Sequence, residues 1–148
     1  MTAVHAGIGV AMVAVNLAAA LLGAWQWRRR AGGPLFLFWR LLRAGQALTV
    51  LAAADGLVLV ALGEDLPELH LVYGLTPIGV SFLAEQLRLA SAETVLQARD
   101  LPDAQAMRGL PESEQHAIVR QIMRRELGVM AASAFVVAVL GMRAGEWL

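Results

Sequence analysis

The chain has 148 residues, of which 58% are hydrophobic and 16% are charged, and its mean hydropathy is +0.60. A soluble domain of this length is usually about half apolar and roughly a quarter charged, so one soluble core cannot hide this much apolar surface. The 12 basic residues, all arginine, are balanced by 12 acidic residues, which argues against nucleic-acid binding, and the lack of cysteine excludes disulfides, thiolate ligands and cysteine nucleophiles.

Four apolar runs follow one another along the chain, at 6–25, 44–62, 69–87 and 127–142. A membrane-spanning helix needs about 20 residues, with a range of roughly 17–25. The first three runs meet this length, and the shorter fourth meets it if flanking residues snorkel or the bilayer thins locally. We therefore predict an all-α integral membrane protein, an up-down bundle of four transmembrane helices in a single membrane domain that covers residues 1–148.

The positions of the arginines predict how the bundle is oriented across the membrane. The second connection, 63–68, has three acidic residues and no arginine, whereas eleven of the twelve arginines surround the first and third connections (Arg28, Arg29, Arg30, Arg40, Arg43, Arg88, Arg99, Arg108, Arg120, Arg124, Arg125). The positive-inside rule then places these two connections in the cytoplasm and both termini outside, as in a multi-pass protein of a bacterial-type inner membrane. Because the charges follow the first run, it is predicted to be a retained anchor and not a signal peptide.

The connections differ in length and character. The sequence Ala-Gly-Gly-Pro at 31–34 breaks the first helix, and its proline can begin the second. The third connection, 88–126, is predicted to be a cytoplasmic helical insert, with the third helix continuing through 89–98. Helix starts are expected at 100–103 and 109–112. From Pro111 a helix is predicted to run into the fourth span, over about 30 residues or roughly 45 Å.

Asp55 is the most costly residue to place, because an ionised aspartate at the centre of a span costs about 2.5–3.5 kcal/mol. It lies eight positions before Gly63, which puts it roughly 12 Å below the outer end of its helix. It can serve as a proton or cation relay or as a counter-charge to a ligand. Alternatively, it is neutral and hydrogen-bonded to a neighbouring helix, because no basic residue is expected at its depth.

Pro77 is predicted at nearly the same depth in the third helix. A proline inside a helix leaves the carbonyl of residue i−4, here Tyr73, without its usual donor. Asp55, Tyr73, Thr76 and Pro77 can then form one polar patch, or Pro77 makes only a packing kink.

His5 and His70 each open a span, and the predicted topology brings both to the outer face on diagonal helices. With neighbouring axes about 8–10 Å apart, the diagonal is some 12–14 Å, which can hold a flat cofactor between two imidazoles. Axial histidines hold haem iron in many proteins, and without a C-x-x-C-H motif such a haem would be b-type. Against this, helical side chains lean towards the N-terminus, which would aim both rings outward.

Other residues fit the same site. Tyr73 and Asp55 can tune a pocket there, and Arg143, with Trp147 beside it, can meet haem propionates. Glycines can make room for a macrocycle (Gly7, Gly9, Gly74, Gly79). The histidines can also bind copper, zinc or a quinone, or serve structure alone.

At the opposite face, the three-residue spacing of Arg43, Gln46 and Thr49 makes a polar stripe on the second helix. It is predicted to face acidic and basic groups of the third and fourth helices (Glu85, Arg88, Glu126), as a packing clamp more than a catalytic site. His116 shares a helix face with Glu112 and is expected to be solvated.

Three functional hypotheses follow. The first is a b-type haem electron-transfer protein, with His5 and His70 as metal ligands and Asp55, Tyr73 and Arg143 in the cofactor pocket. The second is a non-enzymatic membrane subunit or scaffold that binds a partner through its cytoplasmic helices. The third is a small bundle that translocates protons or ions around Asp55. Stripes of small residues leave homo-oligomers and larger membrane complexes open. No phosphate loop or nucleophile elbow supports a hydrolase or kinase.

Overall fold

The structure is a computed structural model that describes residues 3–29, 35–65 and 69–148. Within these residues it is helical, without strands, as the sequence predicts. It comprises four α-helices and one short 3₁₀ helix: α1 (Ala3–Arg29), α2 (Leu35–Ala61), α3 (His70–Gln97), the 3₁₀ helix (Ala106–Gly109) and α4 (Glu112–Ala144). The predicted break at 31–34 and Arg30 lie outside the described residues.

Three of the four helices, α1, α2 and α4, are long and apolar enough to cross a membrane. Their apolar runs are the predicted first, second and fourth spans. α3 has 28 residues and is therefore as long as the others. It is less apolar because hydroxyl-bearing and acidic residues (Tyr73, Thr76, Ser81, Glu85) interrupt its hydrophobic sequence. The structure thus supports three candidate spans by length and composition.

The helices form a bundle in which α1 and α3 lie diagonally opposite each other. α1 packs against α2 and α4, α4 packs along α3, and the seam between α2 and α3 is the loosest of the four. The main hydrophobic cluster joins alanines of α1 and α4 to three large side chains, two on α2 and one on α4 (Ala19, Ala20, Phe38, Leu42, Met130, Ala131, Ala134). Close packing through small side chains is the usual way in which helices associate in lipid.

α3 ends in a Schellman motif, which fixes the direction of the chain beyond it. The Leu101 N–H donates to the Leu96 carbonyl and the Asp100 N–H donates to the Gln97 carbonyl, both within 3.1 Å. Asp100 has a φ of 57°, in the left-handed region that this motif requires. Leu101 then folds back onto a second hydrophobic cluster.

This second cluster is the core of a helical knob, residues 88–126, that projects from one end of the bundle. Val95 and Leu96 of α3 pack against Ile118 of α4, and residues of the connection cover them (Leu101, Met107, Leu110). The prediction that a helix starts at 100–103 was wrong, because this segment forms a turn. There the Asp103 carboxylate accepts hydrogen bonds from two N–H groups and leads only into the 3₁₀ helix.

α4 begins at Glu112, where the sequence predicts a helix start, and continues without a break for 33 residues. At 1.5 Å per residue its length is about 50 Å. It belongs to the knob at its first turns and to the bundle thereafter. We call the two ends of the bundle the knob end and the histidine end, the latter containing His5, His70 and Ala144.

Candidate functional site

His5 and His70 meet at the histidine end, across the diagonal of the bundle. His5 belongs to the first turn of α1 and His70 is the first residue of α3. Their ring centroids are 5.8 Å apart and the ring planes are inclined by 52°. His5 is only 9% exposed, so its ring points into the bundle. The expectation that both rings would point outward was wrong for His5, because its ring packs against Asp55 and Gly56 of α2.

Both imidazoles are held through the same ring nitrogen. His5 Nδ1 lies 2.9 Å from Asp55 Oδ2, and His70 Nδ1 lies 3.0 Å from the carbonyl oxygen of Ala144. A carbonyl oxygen can only accept, so His70 must carry a proton on Nδ1; the Asp55 carboxylate favours the same tautomer in His5. In these tautomers the lone pair of each neutral ring is on Nε2.

The partner of Asp55 is a correction to the sequence-based expectation that nothing basic lies at its depth. His5, not an arginine, stands opposite Asp55 on the neighbouring helix. Its depth was also overestimated, because it was counted along α2 alone. α1 begins at Ala3 and α3 at His70, whereas α2 continues for six residues beyond Asp55, to Ala61. Asp55 therefore lies at the level where the other helices end.

A groove lies between the four helices beside the histidine pair, with an empty volume of about 840 Å³ that includes its open mouth. Nine of its 19 lining residues are glycine or alanine. Gly9 and Gly74 have no neighbouring atom within 4 Å of where a Cβ would be, so they face open space. At Gly56 a Cβ would lie 3.2 Å from His5 Cε1, so this glycine lets the ring approach α2. Gly7 and Gly79, also predicted to line a site, are outside the groove.

The other predicted site residues are distributed around the groove. Tyr73 and Pro77 line it, and Trp147 closes one side. The Arg143 guanidinium lies over the Tyr73 ring, 5.7 Å from its centroid, and donates a hydrogen bond to the Leu148 carbonyl. The predicted patch of Asp55, Tyr73, Thr76 and Pro77 does not form as a unit, because Thr76 is exposed and bonds within its own helix to the Val72 carbonyl.

A second polar cluster joins α2 and α3 towards the knob end, as the spacing of Arg43 and Gln46 predicts. One Glu85 oxygen accepts from Arg43 and from Gln46, and the other accepts from Arg88 Nε at 2.9 Å. Arg88 also approaches Glu126 at 4.0 Å. Thr49, predicted to be part of this stripe, instead bonds to the Gly45 carbonyl. All formal charges in the cluster have partners of opposite sign.

Metal-ligating side chains are sparse. Among residues 3–29, 35–65 and 69–148 there is no group of three or more histidine, cysteine or acidic residues that could hold a metal ion. His5 and His70 thus offer two ligands to a group that brings its other ligands with it. His116 is exposed and 3.9 Å from Glu112, the solvated arrangement that the sequence predicts.

Two residues that contribute to the site were not predicted from the sequence. Ala144 acts through its backbone carbonyl, which no side-chain pattern can reveal. Gly56 is adjacent to Asp55 in the sequence and could have been suspected on that basis alone. Comparison of the chain with protein families, with curated proteins and with solved structures finds no match.

Proposed function

We propose that the chain is a four-span membrane protein that binds a b-type haem between His5 and His70 and uses it for electron transfer. The membrane placement is supported by the three apolar helices and by the exposed hydrophobic side chains over their length. The haem is supported by the histidine pair.

α3 serves as the remaining span, over residues 69–87. Its costly groups all have partners within the protein: Glu85 contacts two arginines and a glutamine, and the exposed Thr76 donates to a carbonyl of its own helix. Its outward face carries large apolar side chains that are at least half exposed (Phe82, Leu83, Leu87). A helix with satisfied polar groups and an apolar outer face is suited to lipid.

The proposed orientation, with the histidine end and both termini outside a bacterial-type inner membrane, is open to direct measurement. Because the chain has no cysteine, single cysteines can be introduced without background labelling. Glu64→Cys lies beyond the end of α2 and Ser113→Cys lies in the knob. A membrane-impermeant maleimide should label the first in intact cells and the second only after permeabilisation. The reverse pattern would exclude this orientation.

The observation that carries the haem proposal is the matched hydrogen bonding of the two imidazoles. Histidines that bind metals almost always donate their other ring N–H to a carboxylate, a backbone carbonyl or water. His5 faces a carboxylate and His70 donates to a carbonyl, which orients both rings through Nδ1. With metal–nitrogen bonds of about 2.0–2.1 Å, two imidazoles on opposite sides of one ion have ring centroids roughly 6–6.5 Å apart, slightly more than the 5.8 Å here.

The residues around the pair also suit a large apolar cofactor. Glycines and alanines form nearly half of the groove lining, so few side chains obstruct a flat apolar group beside the histidines. Such a haem would supply a single exchangeable electron. The protein would hold it through His5 and His70, fix the rings through Asp55 and the Ala144 carbonyl, and place the Arg143 cation near its carboxylates.

An absorbance spectrum of the detergent-purified protein, expressed with added haem precursor, tests this proposal. The wild type should show a Soret band that shifts on reduction with dithionite. His5→Ala and His70→Ala should lose the band, whereas His116→Ala, the matched control on the exposed face of α4, should keep it. A wild type that stays colourless after incubation with haemin would refute the proposal, as would an unchanged spectrum in His70→Ala.

Copper, zinc and quinone remain alternative ligands of the same pair, and metal analysis and lipid extraction of the purified protein distinguish them from haem. A proton- or ion-translocating role would depend on the contact between His5 and Asp55. In liposomes, a flux that Asp55→Asn leaves unchanged would exclude it.

The scaffold hypothesis is favoured by one feature of the knob. Val119 and Met123 lie four positions apart on α4 and are each 43% exposed, next to the covered Ile118. Val119→Ser with Met123→Ser should remove a partner from pull-downs while leaving the cluster around Ile118 intact. Homo-oligomers are tested in the same preparation by cross-linking.

A further inference from the structure

The knob end of the bundle carries several arginines that lie over aromatic rings. The Arg29 guanidinium is 4.6 Å from the centroid of Trp25, and that of Arg124 is 4.9 Å from the centroid of Trp27. Arg40 lies over Phe36 in the same way, at 5.2 Å. A guanidinium over a ring face is held in place and keeps its N–H groups available at its edge.

One of these pairs bridges two helices. Trp27 is near the end of α1, and its Nε1 lies 3.1 Å from where a Cβ of Gly128 on α4 would be. Arg124 is one turn from Gly128 and lies over the same indole. Arg120 follows one turn further along this face of α4, and Arg28 is adjacent to Trp27. We call these five residues the Trp27 seam.

The seam is positively charged because the segments that form it carry arginines and no acidic residue beside them. α1 contains no acidic residue, and none occurs in residues 116–125 of α4. The nearest acidic residue of α4, Glu126, is on the side of Arg88. All three arginines of the seam are exposed. Several uncompensated cations beside a fixed indole form a site for an anion.

The surroundings of the seam indicate where the anion comes from. Leu21 and Trp25 lie on the same face of α1 as Arg28, at four- and three-residue intervals, and are 63% and 46% exposed. This face thus passes from an aliphatic side chain through an indole to arginines. Tryptophan and arginine at the end of an apolar helix are typical of the level of lipid headgroups. A ligand that matches both the apolar part and the cationic part of this surface has an anionic group attached to long apolar chains.

We propose that the Trp27 seam binds the headgroup phosphate of an anionic phospholipid, whose acyl chains lie beside Leu21, on the side of α1 that carries Arg28. The proposal rests on the membrane placement above and is independent of the haem. Arg28, Arg120 and Arg124 supply the charge, and the Trp27 ring, next to Gly128, lies under the Arg124 guanidinium. Basic pockets between membrane helices on the cytoplasmic side bind anionic headgroups in other proteins by this chemistry.

The test compares dioleoyl phosphatidylglycerol with dioleoyl phosphatidylcholine, added to the detergent-purified full chain and measured by native mass spectrometry. Phosphatidylglycerol should remain bound preferentially to the wild type. In Arg120→Gln/Arg124→Gln its affinity should fall on the order of 30-fold, the loss that follows from two arginines near an anionic surface. Arg99→Gln/Arg108→Gln, which removes two exposed arginines of the knob outside the seam, is the matched control and should bind as the wild type does.

Trp27→Leu provides a second variant that keeps every charge. It removes the ring that lies under Arg124, so phosphatidylglycerol binding should weaken although the net charge is unchanged. Circular dichroism verifies that each variant is helical. Equal retention of the two lipids by the wild type would overturn the proposal, and so would full binding in Arg120→Gln/Arg124→Gln. Competition by millimolar inorganic phosphate that removes the lipid preference would also overturn it, by assigning the seam to a soluble anion.

Discussion

Gly23 lies where α1, α2 and α4 approach most closely, so replacing it with alanine should separate three helices at once. A Cβ at this position would be 2.6 Å from Phe38 Cε2 and 2.7 Å from the Ala131 Cβ. Carbon atoms in contact are normally about 3.5–4.0 Å apart, so the overlap is roughly 1 Å on two sides. Phe38 is fully buried and Ala131 is 6% exposed, which leaves neither of them space to move aside.

Overpacking of this kind costs about 1–3 kcal/mol. Alanine regains about 0.5–1 kcal/mol relative to glycine inside a helix, which offsets part of that cost. The free energy of unfolding of Gly23→Ala should therefore fall by about 1–2 kcal/mol. Unfolding can be followed by circular dichroism as the fraction of sodium dodecyl sulfate in dodecyl maltoside micelles is raised.

Gly79→Ala is the matched control in the same assay. Gly79 is exposed in the middle of α3 and a Cβ there would have no neighbour within 4 Å, so only the helix preference of alanine should operate. This variant should be more stable than the wild type by about 0.5–1 kcal/mol. If the two variants shift stability in the same direction, or if Gly23→Ala is as stable as the wild type, the packing described for α1 is incorrect.

Three further predictions concern polar residues. Asp55→Asn removes the carboxylate that orients His5 and should weaken haem binding about 10–100-fold in a haemin titration, whereas retention of full affinity would show that Asp55 does not support the ligand. Glu85→Gln leaves two arginines without their carboxylate and should lower the free energy of unfolding by about 1–3 kcal/mol; Glu93→Gln, on the exposed face of α3, should have no measurable effect. Asp100→Gly relieves the strain of a left-handed backbone and should raise the thermal midpoint of unfolding, with a gain of about 0.5–1 kcal/mol. Asp103→Gly removes the carboxylate that accepts two N–H groups at the start of the 3₁₀ helix and should lower that midpoint. Equal shifts in the two variants would refute the turn geometry.

The sequence was sufficient for the features that depend on local spacing. The apolar runs predict α1, α2 and α4, and the helix start near Pro111 predicts the length of α4. The contact of Arg43 and Gln46 with Glu85 could also be predicted, because three-residue spacing puts two donors on one face and an acidic residue in a span needs a partner.

Features that depend on how the helices are staggered could not be predicted. Depth was counted from the end of each helix as if all four ended together, and on that scale Asp55 and His5 are far apart. In the structure α2 continues beyond its neighbours, and the two residues are 2.9 Å apart. Stagger follows from the close packing of surfaces such as Gly45 on Asn16 and Gly23 on Phe38, which no periodicity in one helix records.

The continuity of α4 gives the molecule a mechanical connection between its two ends. The helix starts in the knob, where Ile118 is completely buried, and ends at Ala144, whose carbonyl accepts the hydrogen bond from His70. It contains no proline, unlike α3, where Pro77 interrupts the backbone bonding. At 1.5 Å per residue, Ile118 and Ala144 lie about 40 Å apart on this one helix. The core of the knob and the carbonyl that orients His70 are therefore parts of the same uninterrupted element.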